Sequence, residues 1–179
     1  MLSSEDSLVL IIDFQEKLVR ATGSDNLIGN VVKLVKAAQI LELPMILTEQ
    51  YPKGLGETVH NIKTEVIEKN NILEKTDFSA FSTPNIFQKI KDYNRKNIIL
   101  CGIETHICVY QTCLELLEAG YNVYIVSDLC TSREAKNSDI GLNLMQNFGA
   151  KLTSLEIVLF ELLKSSKHAK FKEIQALIK

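Results

Sequence analysis

The stretch Asn97-Ile-Ile-Leu-Cys101-Gly-Ile-Glu-Thr-His-Ile-Cys108 decides the fold. It passes from an uninterrupted apolar run, through a glycine, into the start of a helical pattern that ends near Gly120. A run apolar at every position suits a strand buried on both faces, as in a parallel sheet, better than a half-exposed one. The same signature stands upstream in Leu8-Val-Leu-Ile-Ile-Asp13 and Met45-Ile-Leu-Thr48, and downstream in Val123-Tyr-Ile-Val126, with shorter strands expected over 71–75 and 151–153. Helical patterns lie between them. One spans 25–41 behind Ser24 or Asp25, and a second spans 84–93 behind Ser82 or Thr83 with Pro84 in its first turn. Others are expected over about 133–148 and 169–178. Strands alternating with helices call for right-handed crossovers. The expectation is therefore an α/β fold: a three-layer α/β/α sandwich with a mainly parallel, Rossmann-like sheet of about six strands, one domain over 1–179.

Composition narrows the partners. Of 179 residues, 46% are apolar and 23% charged, which excludes a disordered chain. Twenty Lys and Arg stand against 22 Asp and Glu, for a net charge of −2 with no basic block, so neither nucleic acid nor an anionic membrane is expected as a partner. No apolar run approaches the ~18 residues of a membrane span. Glu5 and Asp6, with no Lys or Arg nearby, do not make a secretory signal, and a cytoplasmic location is the default expectation. Cys101, Cys108, Cys113 and Cys130 form no CxxC pair, and His60, His106 and His168 lie far apart, so no metal site is expected. The chain lacks GxGxxG and a Walker-type loop, so no cofactor is expected.

In open parallel sheets, ligands bind beyond the carboxyl ends of the strands. The residues to inspect are thus Asp13, Thr48 to Tyr51, Lys75, Gly102 to Cys108, and Ser127 with Asp128. Each has an ordinary reading: Asp13 as a turn residue, Lys75 as a surface charge, Cys108 as a small apolar filler. Together they place an acid, a lysine and a thiol at three strand ends. With Thr105 as N-cap, Cys108 falls in the first turn of a helix, where the macrodipole and a nearby Lys75 are expected to lower the thiol pKa. The other three cysteines read as packing thiols.

Leu-Val-Leu-Ile-Ile-Asp13-Phe-Gln15, Lys75 and Cys101-Gly-Ile-Glu-Thr-His-Ile-Cys108-Val resemble the signature of the isochorismatase-like cysteine hydrolases, in order and spacing across nearly the whole chain. Thr48-Glu-Gln-Tyr-Pro-Lys-Gly-Leu-Gly56 and Ser79-Ala-Phe-Ser82 look most like the isochorismatase domain-containing, YcaC-like branch. The resemblance implies a triad of Asp13, Lys75 and Cys108 and a cis peptide between Ile103 and Glu104. It also implies an oxyanion hole from the backbone amides of Glu104 and Cys108. Nicotinamidases of this superfamily carry a metal-binding Asp and His before the lysine, whereas here the 51–56 loop has only His60 nearby. Relatives that cleave the isochorismate vinyl ether lack the cysteine. What the resemblance leaves is a metal-independent hydrolase of a small amide or related C–N compound, with Phe14, Gln50, Tyr51, Phe78 and His106 as pocket candidates. The competing reading is a catalytically weak domain kept as a partner-binding module. A homo-oligomer is expected from the apolar segment around Leu155 to Leu163 and from the resemblance.

Overall fold

The apolar runs Leu8–Ile12 and Ile98–Cys101 make most of β1 (Ser7–Ile12) and β4 (Asn97–Ile103); both strands are buried at every position. They pair in parallel, with Val9 opposite Ile99, and form the centre of the sheet. The computed structural model describes residues 1–179. After β1 come α1 (Glu16–Thr22), α2 (Asp25–Ile40), β2 (Met45–Gln50), α3 (Pro52–Leu55), α4 (His60–Lys63), β3 (Ile72–Lys75) and α5 (Pro84–Tyr93). After β4 come α6 (Tyr110–Glu118), β5 (Asn122–Thr131), α7 (Ala135–Asn147), β6 (Lys151–Thr153), α8 (Leu155–Leu163) and α9 (Phe171–Ile178).

All five strand pairings are parallel, in the order β3-β2-β1-β4-β5-β6. Helices flank the sheet to give a three-layer α/β/α sandwich; α2 packs with α8 and α9, while α6 packs with α7. The chain steps outward from β1 to β3, then crosses to the other side of β1 with β4. The order reverses between β1 and β4, so a crevice opens there at the carboxyl ends. Gly102 lets β4 close against β1: its φ is +148°, and a Cβ there would lie 2.4 Å from the Ile12 carbonyl oxygen. No helix is long and apolar enough to cross a membrane.

Three expectations need correction. The fifth strand is ten residues long, and the presumed polar loop from Asp128 to Ser132 is strand through Thr131. Burial of Leu129 and Cys130, and pairing of Cys130 with Gly102, extend it where local polarity suggested an end. Ser127 and Asp128 thereby lie short of the crevice. The Ser127 hydroxyl donates to the Thr153 carbonyl, and the Asp128 carboxylate accepts from the Leu155 N–H. A helix unmarked in the sequence, α1, follows the first strand. The apolar 155–163 segment is α8, whose Leu155, Val158, Leu159, Leu162 and Leu163 are buried within the chain. Its hydrophobicity is mostly consumed by the core, leaving Ile157 and Phe160 exposed.

Candidate active site

The ends of β1, β2 and β3 build one side of the crevice. Asp13 ends β1 at φ +52° and is fully buried. Its Oδ2 lies 2.8 Å from Lys75 Nζ at the end of β3, in an ion pair whose side chains are both 0% exposed. The Thr48 hydroxyl donates to Asp13 Oδ1 at 2.6 Å. Lys75 Nζ also donates to Gln50 Oε1 at 2.6 Å and to the carbonyls of Asp77 and Phe78, both at 3.2 Å. Gln15, buried two residues after Asp13, donates through Nε2 to the carbonyls of Gln50 and Gly56 and accepts from the Gln50 N–H. Its carboxamide fixes the end of β2 and the 51–56 loop in one step.

The other side is made by the turn after β4. The Ile103–Glu104 peptide bond is cis. Residues Thr105–Val109 form a single wide π turn, closed by the Val109 N–H donating to the Glu104 carbonyl at 3.3 Å. π turns of this kind concentrate at functional sites. The N-cap position belongs to Glu104 rather than Thr105, because the Thr105 hydroxyl is engaged by Ser138 of α7 at 2.9 Å. The Glu104 Oε1 accepts from both the N–H and Nε of Arg133, each at 3.0 Å. His106 Nδ1 is 2.9 Å from the Ser132 hydroxyl. Gly141 lets α7 lie flat on the turn, since a Cβ there would meet His106 Cα at 3.0 Å. The Glu104 N–H itself donates to no carbonyl.

Cys108 projects from this turn towards the first side, close enough to Asp13 and Lys75 to feel the charge of both. The three side chains singled out from the strand ends thus meet across the switch point. The expected lowering of the thiol is overturned. Burial, then the Asp13 carboxylate, push Cys108 up to about 12, outweighing the opposing pull of Lys75. Lys75 is matched by Asp13 at contact distance, so little of its field is left for the sulfur. Burial also pushes Cys113 and Cys130 up to about 12 and raises Cys101 further, so acidity alone does not distinguish the four thiols. For Glu104, burial acts upward, but hydrogen bonds and charge from Arg133 prevail and hold the carboxyl below its usual value.

The pocket candidates divide by exposure. Phe14 is 1% exposed and belongs to the core, Gln50 holds Lys75, and His106 is half-buried on the π turn. Tyr51 and Phe78 are each 56% exposed and stand on the loops beside Gln50 and Lys75. Sequence reasoning missed Arg133, Ser132 and Ser138, which β5 and α7 bring to the turn. It also missed Glu115 of α6, whose carboxylate accepts from Ser79 and Ser82 and anchors the loop carrying Phe78. None carries a local signal, because their partners lie 26 to 36 residues away. No three His, Cys, Asp or Glu side chains converge in a metal-holding group.

The isochorismatase domain model matches residues 7–157. Isochorismatase domain-containing protein 2 of Xenopus laevis is 38% identical over 99% of this chain and 85% of its own length. The MAR1 ribonuclease of Caenorhabditis elegans superposes with a TM-score of 0.93 at 39% identity, over 99% of this chain and 91% of that one. YcaC from Pseudomonas aeruginosa, in a structure with hexane-2,5-diol and covalent acrylamide, gives 0.91 at 26% identity, over 98% and 90%. With a family model over most of its length and relatives this similar from end to end, the chain belongs to the isochorismatase domain family, in the branch of YcaC and isochorismatase domain-containing protein 2.

Proposed function

We propose that this isochorismatase-family hydrolase cleaves the C–N bond of a small amide or related compound through a covalent thioester on Cys108, without a metal. The observation that carries the reading is the meeting of Cys108 with the buried Asp13–Lys75 pair. A thiol pushed up to about 12 is almost wholly protonated at neutral pH, so attack requires a base in contact with it. Asp13 takes the thiol proton as sulfur adds to the carbonyl carbon. The unpartnered Glu104 N–H and the Cys108 N–H receive the developing oxyanion. Asp13 then returns the proton to the departing amine as the C–N bond breaks. In the second half it takes a proton from water as the water oxygen adds to the thioester carbon, and gives that proton to the sulfur as the C–S bond breaks and the carboxylic acid forms. Lys75 keeps Asp13 ionised and oriented. Covalent acrylamide in the Pseudomonas relative supports a reactive nucleophile in this branch, since acrylamide is an electrophile that thiolates attack.

The C. elegans relative is named as a ribonuclease, which makes RNA the second substrate to weigh. Phosphodiester chemistry needs cations free to hold phosphate, whereas Lys75 is fully enclosed and the chain carries net charge −2. The deciding experiment incubates pure protein with a panel of small amides and, in parallel, with single-stranded RNA. Ammonia or amine release that Cys108→Ala abolishes is expected. RNA cleavage lost in Cys108→Ala, with no amide turned over, would reverse the choice; no turnover of either would leave the partner-binding module. The same reading takes the protein as a homo-oligomer, joined through Ile140 and Leu144 of α7 with Phe148 just after it, or Ile157 and Phe160 of α8, all exposed. A 20.1 kDa species by light scattering at micromolar concentration excludes that.

A further inference from the structure

We infer that the site selects substrates uncharged beside the scissile bond and rejects those bearing a carboxylate there. The inference rests on the cysteine-hydrolase reading and concerns which amides that chemistry accepts. Its ground is the charge balance of the crevice. Lys75 has three N–H groups, and all three are taken, by Gln50 Oε1, the Asp77 carbonyl and the Phe78 carbonyl, while Asp13 Oδ2 stands at 2.8 Å. Four oxygens thus surround an ammonium that is 0% exposed, and none of its valence remains for a ligand. The second cation, Arg133, lies against the Glu104 carboxylate, which accepts from its Nε and from its backbone N–H, each at 3.0 Å. His106 Nδ1 is engaged with Ser132. Lys53, exposed on the 51–56 loop, lines a cavity of about 280 Å³ with Tyr51, Glu74 and Lys75, and the lining of that cavity does not include Cys108.

The two ion pairs that flank the sulfur, Asp13–Lys75 and Glu104–Arg133, therefore sum to zero. A carboxylate carried in beside the sulfur would add one uncompensated negative charge next to the buried Asp13, a costly desolvation. A neutral amide brings no such charge. Its carbonyl oxygen needs only the backbone N–H groups of the π turn, and its body meets the aromatic rim of Tyr51 and Phe78.

The test uses two alkylating reagents of nearly equal size that differ in charge. Iodoacetamide and iodoacetate are each incubated with the native protein at pH 9, and the extent of Cys108 labelling is followed by peptide mass mapping. The ratio of the two rates is compared with that for free glutathione under the same conditions. The expected result is a preference for iodoacetamide at Cys108 at least tenfold greater than in glutathione. Phe78→Lys, which places a cation on the rim, is expected to bring the iodoacetate rate back towards the iodoacetamide rate. A ratio equal to that of glutathione overturns the inference while leaving Cys108 a reactive nucleophile. Failure of Phe78→Lys to recover iodoacetate labelling overturns it too, by assigning the exclusion to shape. No labelling by either reagent sinks the nucleophile reading itself, and the inference with it.

Discussion

The two sides of the crevice are built on opposite physical plans. On the β1–β3 side, a full ion pair is sealed from water at the ends of rigid strands, with Asp13 and Lys75 both 0% exposed. On the β4–β5 side, the corresponding pair is Glu104, which is 7% exposed, with Arg133, which is 61% exposed, and it braces a π turn rather than a strand. Burial makes the first pair costly to break, because either charge left alone faces a low dielectric with nothing to replace its partner. Water screens the second and substitutes for its lost contacts. The molecule thus holds Asp13 and Lys75 rigidly and leaves the segment carrying Cys108 to be positioned by many small contacts.

Breaking one pair at a time puts this contrast to the test. Lys75→Met leaves the Asp13 carboxylate buried without a counter-charge and is expected to lower unfolding free energy by about 3–5 kcal/mol. Arg133→Ala is expected to lower the urea midpoint at pH 7 only slightly. Urea titrations of both variants, with Asp13→Asn/Lys75→Met recovering more than half of the single-variant loss, check this; equal shifts for the two single variants would erase the distinction.

A smaller effect is expected at the sulfur. After burial, the Asp13 charge is what raises the Cys108 thiol most, so Asp13→Asn is expected to bring the thiol down from about 12. Each unit it falls gives roughly tenfold more thiolate at pH 9. Iodoacetamide labelling should therefore quicken in Asp13→Asn while amide turnover drops by about 10²-fold or more through loss of the base. Slower labelling in this variant would mean that Asp13 does not face the sulfur.

The smallest effect belongs to Glu104. Its carboxyl sits below the usual value when folded, so the stability it contributes is present above the unfolded value of 4.5 and is lost as pH falls through the folded value. Removing the Arg133 guanidinium should shrink that loss, so that Arg133→Ala becomes slightly less sensitive to acid than the parent between pH 6 and 3. Thermal melts across that range would record it, and a steeper acid dependence in the variant would contradict it.

Which parts of this were legible in advance follows from range. The runs at 8–12 and 97–101 announce a parallel sheet because burial on both faces requires apolar side chains at every position, and that requirement is written locally. The ends of those runs marked Asp13 and the 102–108 segment, and the end of the shorter 71–75 strand marked Lys75. Where β5 stops was not local. Its polar Ser127 and Asp128 read as a loop, and only the Thr153 carbonyl and the Leu155 N–H gave those side chains partners within a strand. Nor did the 155–163 segment reveal that most of its apolar side chains face inward, because a uniformly apolar helix carries no stripe to say which face is covered.

By itself, then, the sequence determined the layered α/β architecture and the identity of three groups that strand ends bring to one crevice, since hydrophobic periodicity and strand termination depend on neighbours in the chain. Tertiary structure alone decided the chemistry of those groups. Sequence neighbours predicted an acidic thiol at Cys108. Burial and the Asp13 carboxylate, 95 positions away along the chain, made it a weak acid. Arg133, Ser132, Ser138 and Glu115 were likewise decided by the fold, because an electrostatic or hydrogen-bonded partner is set by distance in space, and no residue records locally what the folded chain will place against it.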